Sequence, residues 1–174
     1  MGNIINGDIM KNKYFTLILI GFIFLVGCTL GNTPTARVED LLGSYQRLDD
    51  GISFSYTNLT DDVNLGNDIR KGYEEAIKKQ YRNLSYEIKD EVIDGDNAIV
   101  TVRIEVMNYK EVIDKYDRTD YEAIKYHELV LEALDNVKEM VVYTIDISLT
   151  KDNGDNWVVD DFSGEVRDKL LGLY

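Results

Sequence analysis

The sequence predicts an α+β domain in which a curved antiparallel sheet packs on N-terminal helices. Three observations carry this reading. Two segments of helical period come first, two runs of strict alternation follow in the second half, and a helical connection separates those runs.

Thr33 followed by Pro34 supplies an N-cap and a first helical position, and Val38, Leu41, Leu42 and Tyr45 recur at helical spacing to about Leu48. Asp49-Asp50-Gly51 breaks that helix, and the stretch through Asn58, Asp61 and Asp62 reads equally as a short helix or a loop. From Asn67, the positions Ile69, Tyr73, Ala76, Ile77, Tyr81 and Leu84 restore the helical period. Arg70, Lys71, Lys78, Lys79 and Arg82 take the remaining arc, as a solvated face would.

The period then changes to two. Tyr86, Ile88 and Val92 lead into Asp94-Gly95-Asp96-Asn97, after which Ala98, Val100, Val102, Ile104 and Val106 alternate with polar residues. This is a β-hairpin with one apolar face and a wetter face bearing Thr101, Arg103 and Glu105. Residues 110 to 138 read as helix, broken near Arg118-Thr119-Asp120, with Val112, Ile113, Tyr116, Ile124, Leu131 and Leu134 as the buried set. Val141, Tyr143, Ile145, Ile147 and Leu149 form a second alternation. A turn over residues 151 to 156 returns the chain as a strand from Trp157 to Phe162, and Ser163 caps a short final helix.

Ahead of the domain, Lys11 and Lys13 precede an uncharged run of 14 residues, Tyr14 to Gly27, which ends in Leu25-Val26-Gly27-Cys28. That is the pattern of a signal peptide, and the run is shorter than the roughly 20 residues a permanent spanning helix needs. Met10 would open a more ordinary signal than Met1, since Asp8 is foreign to a basic n-region. The small residue before Cys28 resembles the bacterial lipobox, in which the cysteine thiol receives a diacylglyceryl group before cleavage makes it the new N-terminus. Two fatty chains on Cys28 would give stable anchoring, which one chain does not. The competing reading is an ordinary secretory signal with an incidental cysteine. The expected organisation is therefore a lipoprotein signal peptide over 1–27, a lipidated tether over 28–33 and a single domain over 34–174.

Removing 27 of the 174 residues leaves 147, enough for one hydrophobic core. It also removes Lys11, Lys13 and Asp8, so the net charge of −13 becomes −14. Such a chain repels phosphate backbones, which argues against nucleic acid as a partner. Cys28 is the sole cysteine and His127 the sole histidine, so disulfides, cysteine nucleophiles, multi-histidine zinc sites and most hydrolytic triads are excluded. A lone histidine on a helix is expected at the surface or its boundary. The turns at Asp94–Asn97 and Asp152–Asn156 cluster oxygens but lack the twelve-residue calcium loop with its terminal glutamate, and hairpin chemistry accounts for them. No cofactor, metal or catalytic residue is assigned.

The segments NTPTARVEDLLGSYQRLDD, YRNLSYEIKDEVIDGDNAIVTVRIEV and NWVVDDFSGEVRDKLLGLY, together with the lipobox, resemble small lipoproteins of low-GC Gram-positive bacteria. These look like members of the nuclear transport factor 2-like superfamily. The resemblance implies a cone of curved antiparallel sheet around N-terminal helices. The superfamily hosts isomerases, dehydratases, transport factors and pure binding domains, so the fold supplies a concavity and not an activity. Members similar to ketosteroid isomerase place acidic residues and a tyrosine inside the cone, and no positions here match theirs. The connection over 110–138 is also longer than is usual for the group.

Three functions remain open. The first is a non-catalytic binding or interaction module at the outer face of the cell membrane, receiving a small ligand or an envelope protein. The second is an enzyme using carboxylate and tyrosine proton transfer in the cone pocket; eleven tyrosines survive removal of the signal, though Tyr45, Tyr73, Tyr81, Tyr86 and Tyr143 fall on apolar stripes, where core packing employs them. The third is a homodimer through the sheet, hinted at by Ile99 and Met107 on the outward side of the long strand.

Overall fold

Thr33 does cap the first helix: its hydroxyl accepts the Ala36 N–H at 3.2 Å, and Pro34 sits where a missing N–H costs nothing. The computed structural model of the chain describes residues 31–62 and 64–174. The signal segment 1–27 and Cys28 lie outside the described residues. Helix α1 covers Pro34–Arg47 and ends on Leu48, whose φ of 57° turns the chain out of the helix. The described residues between α1 and α2 include one 3₁₀ turn at Tyr56–Asn58, and α2 runs from Asn67 to Asn83.

Strands β1 (Ser85–Asp94) and β2 (Asn97–Met107) form the hairpin, with Gly95 at φ 60° in its turn. Helix α3 (Tyr109–Ile113), a 3₁₀ turn at Arg118–Asp120 and α4 (Ala123–Asn136) make the connection to β3 (Met140–Lys151). Strand β4 is confined to Trp157–Val159, and α5 spans Gly164–Leu170 behind its Ser163 cap. The predicted return strand to Phe162 is thus shorter than expected. Only three residues of β4 pair with β3, at Leu149, Thr150 and Lys151.

The result is an α+β fold with a four-stranded open antiparallel sheet in the order β1-β2-β3-β4 and, among the described residues, five α-helices. Register decides which face is buried. Ile88, Val102 and Ile145 align in one row, Tyr86, Ile104 and Tyr143 in the next, and all point to the helix side. Val38 and Leu42 of α1 and Leu170 of α5 complete that core. A fully buried aliphatic side chain contributes about 1.5–3 kcal/mol and a surface ion pair about 0–1 kcal/mol, so this layer, and not the charged surface, holds the fold.

A second core joins α2, α3 and α4 through Tyr73, Ala76, Tyr109, Val130 and Leu134. The two long helices approach closely at Gly72, where a Cβ would lie 2.6 Å from Leu131 Cδ1. Lys79 of α2 donates to the carbonyl oxygens of Leu134, at 3.3 Å, and Asp135, closing the C-terminal turn of α4. Lys78 and Arg70 lie over the rings of Phe54 and Tyr56, at 5.7 and 5.3 Å from their centroids. The basic arc of α2 is therefore partly engaged in packing, and Lys71 and Arg82 alone keep the fully solvated role expected of all five.

Three positions depart from expectation. Ile124 is 70 % exposed, although it stands one helical turn before the buried His127 on α4. His127, expected near the surface, is 0 % exposed. Met107, assigned by alternation to the outward face, is 7 % exposed, since the end of β2 runs beneath the helical layer.

Candidate functional site

An open depression with aromatic walls lies between α1, the loop that follows it, α2 and the C-terminal segment. Tyr45 follows Val38, Leu41 and Leu42 on the apolar stripe of α1, and Tyr81 follows Ala76 and Ile77 on that of α2. Packing the two stripes together stacks their rings at 4.7 Å with 13° between planes, and Phe54 tilts onto Tyr81 at 6.1 Å. The cleft beside this stack has a volume of about 420 Å³, within the range of small-molecule sites. Ile52 and Ser53 wall it from the loop, and Phe162, Arg167 and Leu171 from the C-terminal side.

Its electrostatics differ from the rest of the molecule. In a chain with 32 Asp and Glu residues, no described one lines the cleft, and Arg167 is the one charged side chain among the described residues that line it. Arg167 is exposed and makes no ion pair with a described residue. Burial pushes the phenols of Tyr45 and Tyr81 above their ordinary range, so both stay protonated donors. Neither hydroxyl hydrogen-bonds to a described residue.

The second polar feature is sealed. His127 Nδ1 lies 2.8 Å from the Tyr73 hydroxyl, and its Nε2 faces Asp62 Oδ2 at 3.4 Å. Arg118 donates to the same Asp62 oxygen at 2.6 Å. The Asn64 N–H, together with His127 and Arg118, holds the Asp62 carboxyl below its usual value against desolvation, and burial raises the Tyr73 phenol. The imidazole thereby ties α4 to α2 and to the loop, and Asp62 in turn holds Arg118 of the 114–122 connection. With both ring nitrogens committed and no exposed surface, it is placed as a strut and not as an acid or base facing a cleft.

Other residues singled out by sequence fall on the sheet or its turns. Thr101 donates to Asp146 at 2.7 Å, Arg103 stands between Glu87 and Thr144, and Ser85 donates to Glu105 at 3.3 Å. The outward face thus pairs much of its polarity internally. Asp152 accepts the N–H groups of Gly154 and Asn156 at 2.8 and 2.9 Å, which spends that carboxylate on its own turn. Among the described residues, no three His, Cys, Asp or Glu side chains converge on a possible metal position, and no helix is long and apolar enough to cross a membrane. The aromatic cleft itself was missed by sequence reading, which assigned Tyr45 and Tyr81 to the core. The distinguishing signal is the lone, carboxylate-free Arg167, and it becomes visible only once the C-terminal helix is placed.

No family model and no curated protein matches the chain. A solved structure, that of a candidate lipoprotein (ycdA) from Bacillus subtilis subsp. subtilis str. 168, is similar at 20 % identity with a TM-score of 0.40. The match covers 76 % of this chain and 43 % of that one, so the chain spans less than half the length of that structure.

Proposed function

We propose that the chain is a lipoprotein, anchored by acyl chains on Cys28 at the extracytoplasmic face of the cell membrane, whose domain is a non-catalytic binding module. The address rests on the basic flank, the 14-residue apolar run and the Gly27-Cys28 junction. The nuclear transport factor 2-like plan is part of the same reading: it draws support from an antiparallel meander laid against an N-terminal helix through Val38 and Leu42.

The observation that carries the binding role is the composition of the aromatic cleft. Among the described residues it offers tyrosine hydroxyls and a guanidinium as donors, but no carboxylate or histidine to move a proton. The partners are then the membrane, through the lipid, and a small ligand or an envelope protein, with nucleic acid disfavoured by charge. Of the two residues that suggested a sheet-mediated homodimer, Met107 is buried and Ile99 remains, at 46 % exposed.

Growth with radiolabelled palmitate tests the address. Label is expected on the wild-type protein and absent from Cys28→Ala; label that survives the substitution, or never appears, ends the lipoprotein reading.

A further inference from the structure

The aromatic cleft differs from a generic apolar groove in the polar groups of its lining. Among the described residues, no acidic side chain of this strongly acidic protein lines it. Arg167 stands at it with no acidic partner among the described residues. Tyr81 lines the cleft, and its hydroxyl hydrogen-bonds no described residue and is open to solvent. An unpaired guanidinium in a lining that carries no carboxylate, with tyrosines beside it, suits an anion with acceptor oxygens.

From these features we propose that the cleft is a binding site for a small free carboxylate carrying a planar apolar body. The carboxylate accepts from the Arg167 guanidinium, whose paired N–H groups match its two oxygens. Tyr45 and Tyr81 supply further donors. The body of the ligand lies against Leu41, Ile52 and Phe162, and a volume of about 420 Å³ limits it to a small molecule. The proposal rests on the binding-module reading and names the ligand class of that site.

The experiment is calorimetric titration of the protein extracted from membranes in a non-ionic detergent. 3-Phenylpropionate is the probe, and 3-phenylpropionamide, 3-phenylpropylamine and inorganic phosphate are the comparisons. The acid is expected to bind saturably at one site, with the amide and the amine at least about tenfold weaker, the size of effect one charge-assisted contact supports. Phosphate, lacking the apolar body, is expected not to compete. Arg167→Gln, at an exposed position, should weaken the acid about tenfold, Tyr81→Phe several-fold, and Arg82→Gln, outside the cleft, should change nothing.

Equal affinity for acid and amine, competition by phosphate, or full affinity in Arg167→Gln would overturn the proposal. Absence of any binding by the acid would do so as well. If the palmitate label persists in that case, the anchored protein stands and only this site falls.

Discussion

Gln80 holds Met107 by two hydrogen bonds: its amide nitrogen donates to the Met107 carbonyl and its amide oxygen accepts the Met107 N–H, both at 2.9 Å. Met107 ends β2, with Met140 of β3 beside it on one side and this helical side chain on the other. Gln80, buried at 0 % exposure, thus does for one residue what a further strand would do, and joins α2 to the sheet.

Replacing Gln80 by Leu keeps much of the volume but leaves a buried N–H and C=O of Met107 without partners. Each such group costs about 1–3 kcal/mol, so Gln80→Leu should lower the unfolding free energy by about 2–4 kcal/mol in urea titration. A loss below about 0.5 kcal/mol, the ordinary surface range, would show that the clamp contributes nothing.

Gly172 packs on the same junction. Its φ is 69°, and a Cβ there would lie 1.9 Å from the Met107 carbonyl oxygen and 2.7 Å from Gln80 Nε2. The backbone conformation alone costs a non-glycine residue about 1–3 kcal/mol, and the clash adds to it. Gly172→Ala should therefore lower Tm by about 5 °C or more, at roughly 2–4 °C per kcal/mol for a domain of this size. Gly164→Ala, with nothing within 4 Å, is the control and should leave Tm nearly unchanged. Equal behaviour of the two variants would contradict this packing.

How much of this was legible in the sequence depends on range. The caps at Thr33 and Ser163, both hairpin turns and the alternation of β2 and β3 are local, and the chain writes them directly. Gln80 was also within reach: it lies on the same helical arc as Tyr73, Ala76, Ile77 and Leu84, and a polar residue on an apolar arc calls for a buried partner. His127 sits likewise three residues before Val130 and seven before Leu134. What could not be read was the partner in each case, because Met107 and Asp62 are 27 and 65 residues away. Ile124 failed for the opposite reason: its arc is right, but helix phase does not say which turns a neighbour covers.

That reassignment is testable. Ile124→Ser should change stability by no more than about 0.5 kcal/mol, whereas Ile147→Ala, at 1 % exposure in the sheet core, should cost about 2–5 kcal/mol. A large loss at Ile124 in thermal or urea unfolding would place that residue in a core after all.

The Asp62 network predicts a pH dependence with a definite sign. A carboxyl whose pKa is lower in the folded than in the unfolded state stabilises the fold above its unfolded value of about 3.9, and that contribution disappears as pH falls through the folded value. Asp62→Asn should thus be less stable than wild type near pH 7 by an amount that holds to about pH 5 and shrinks below about pH 4. A difference that stays constant to pH 2, or widens, would mean that Asp62 is not held ionised by Asn64, His127 and Arg118.

The most direct test of the whole account is the intact mass of the protein recovered from the membranes of cells that express it. The account predicts a chain beginning at Cys28, heavier than its 147 residues by a diacylglyceryl group. A species that retains residues 1–27 and carries no lipid would contradict the anchor, and with it the location and the role proposed for the domain.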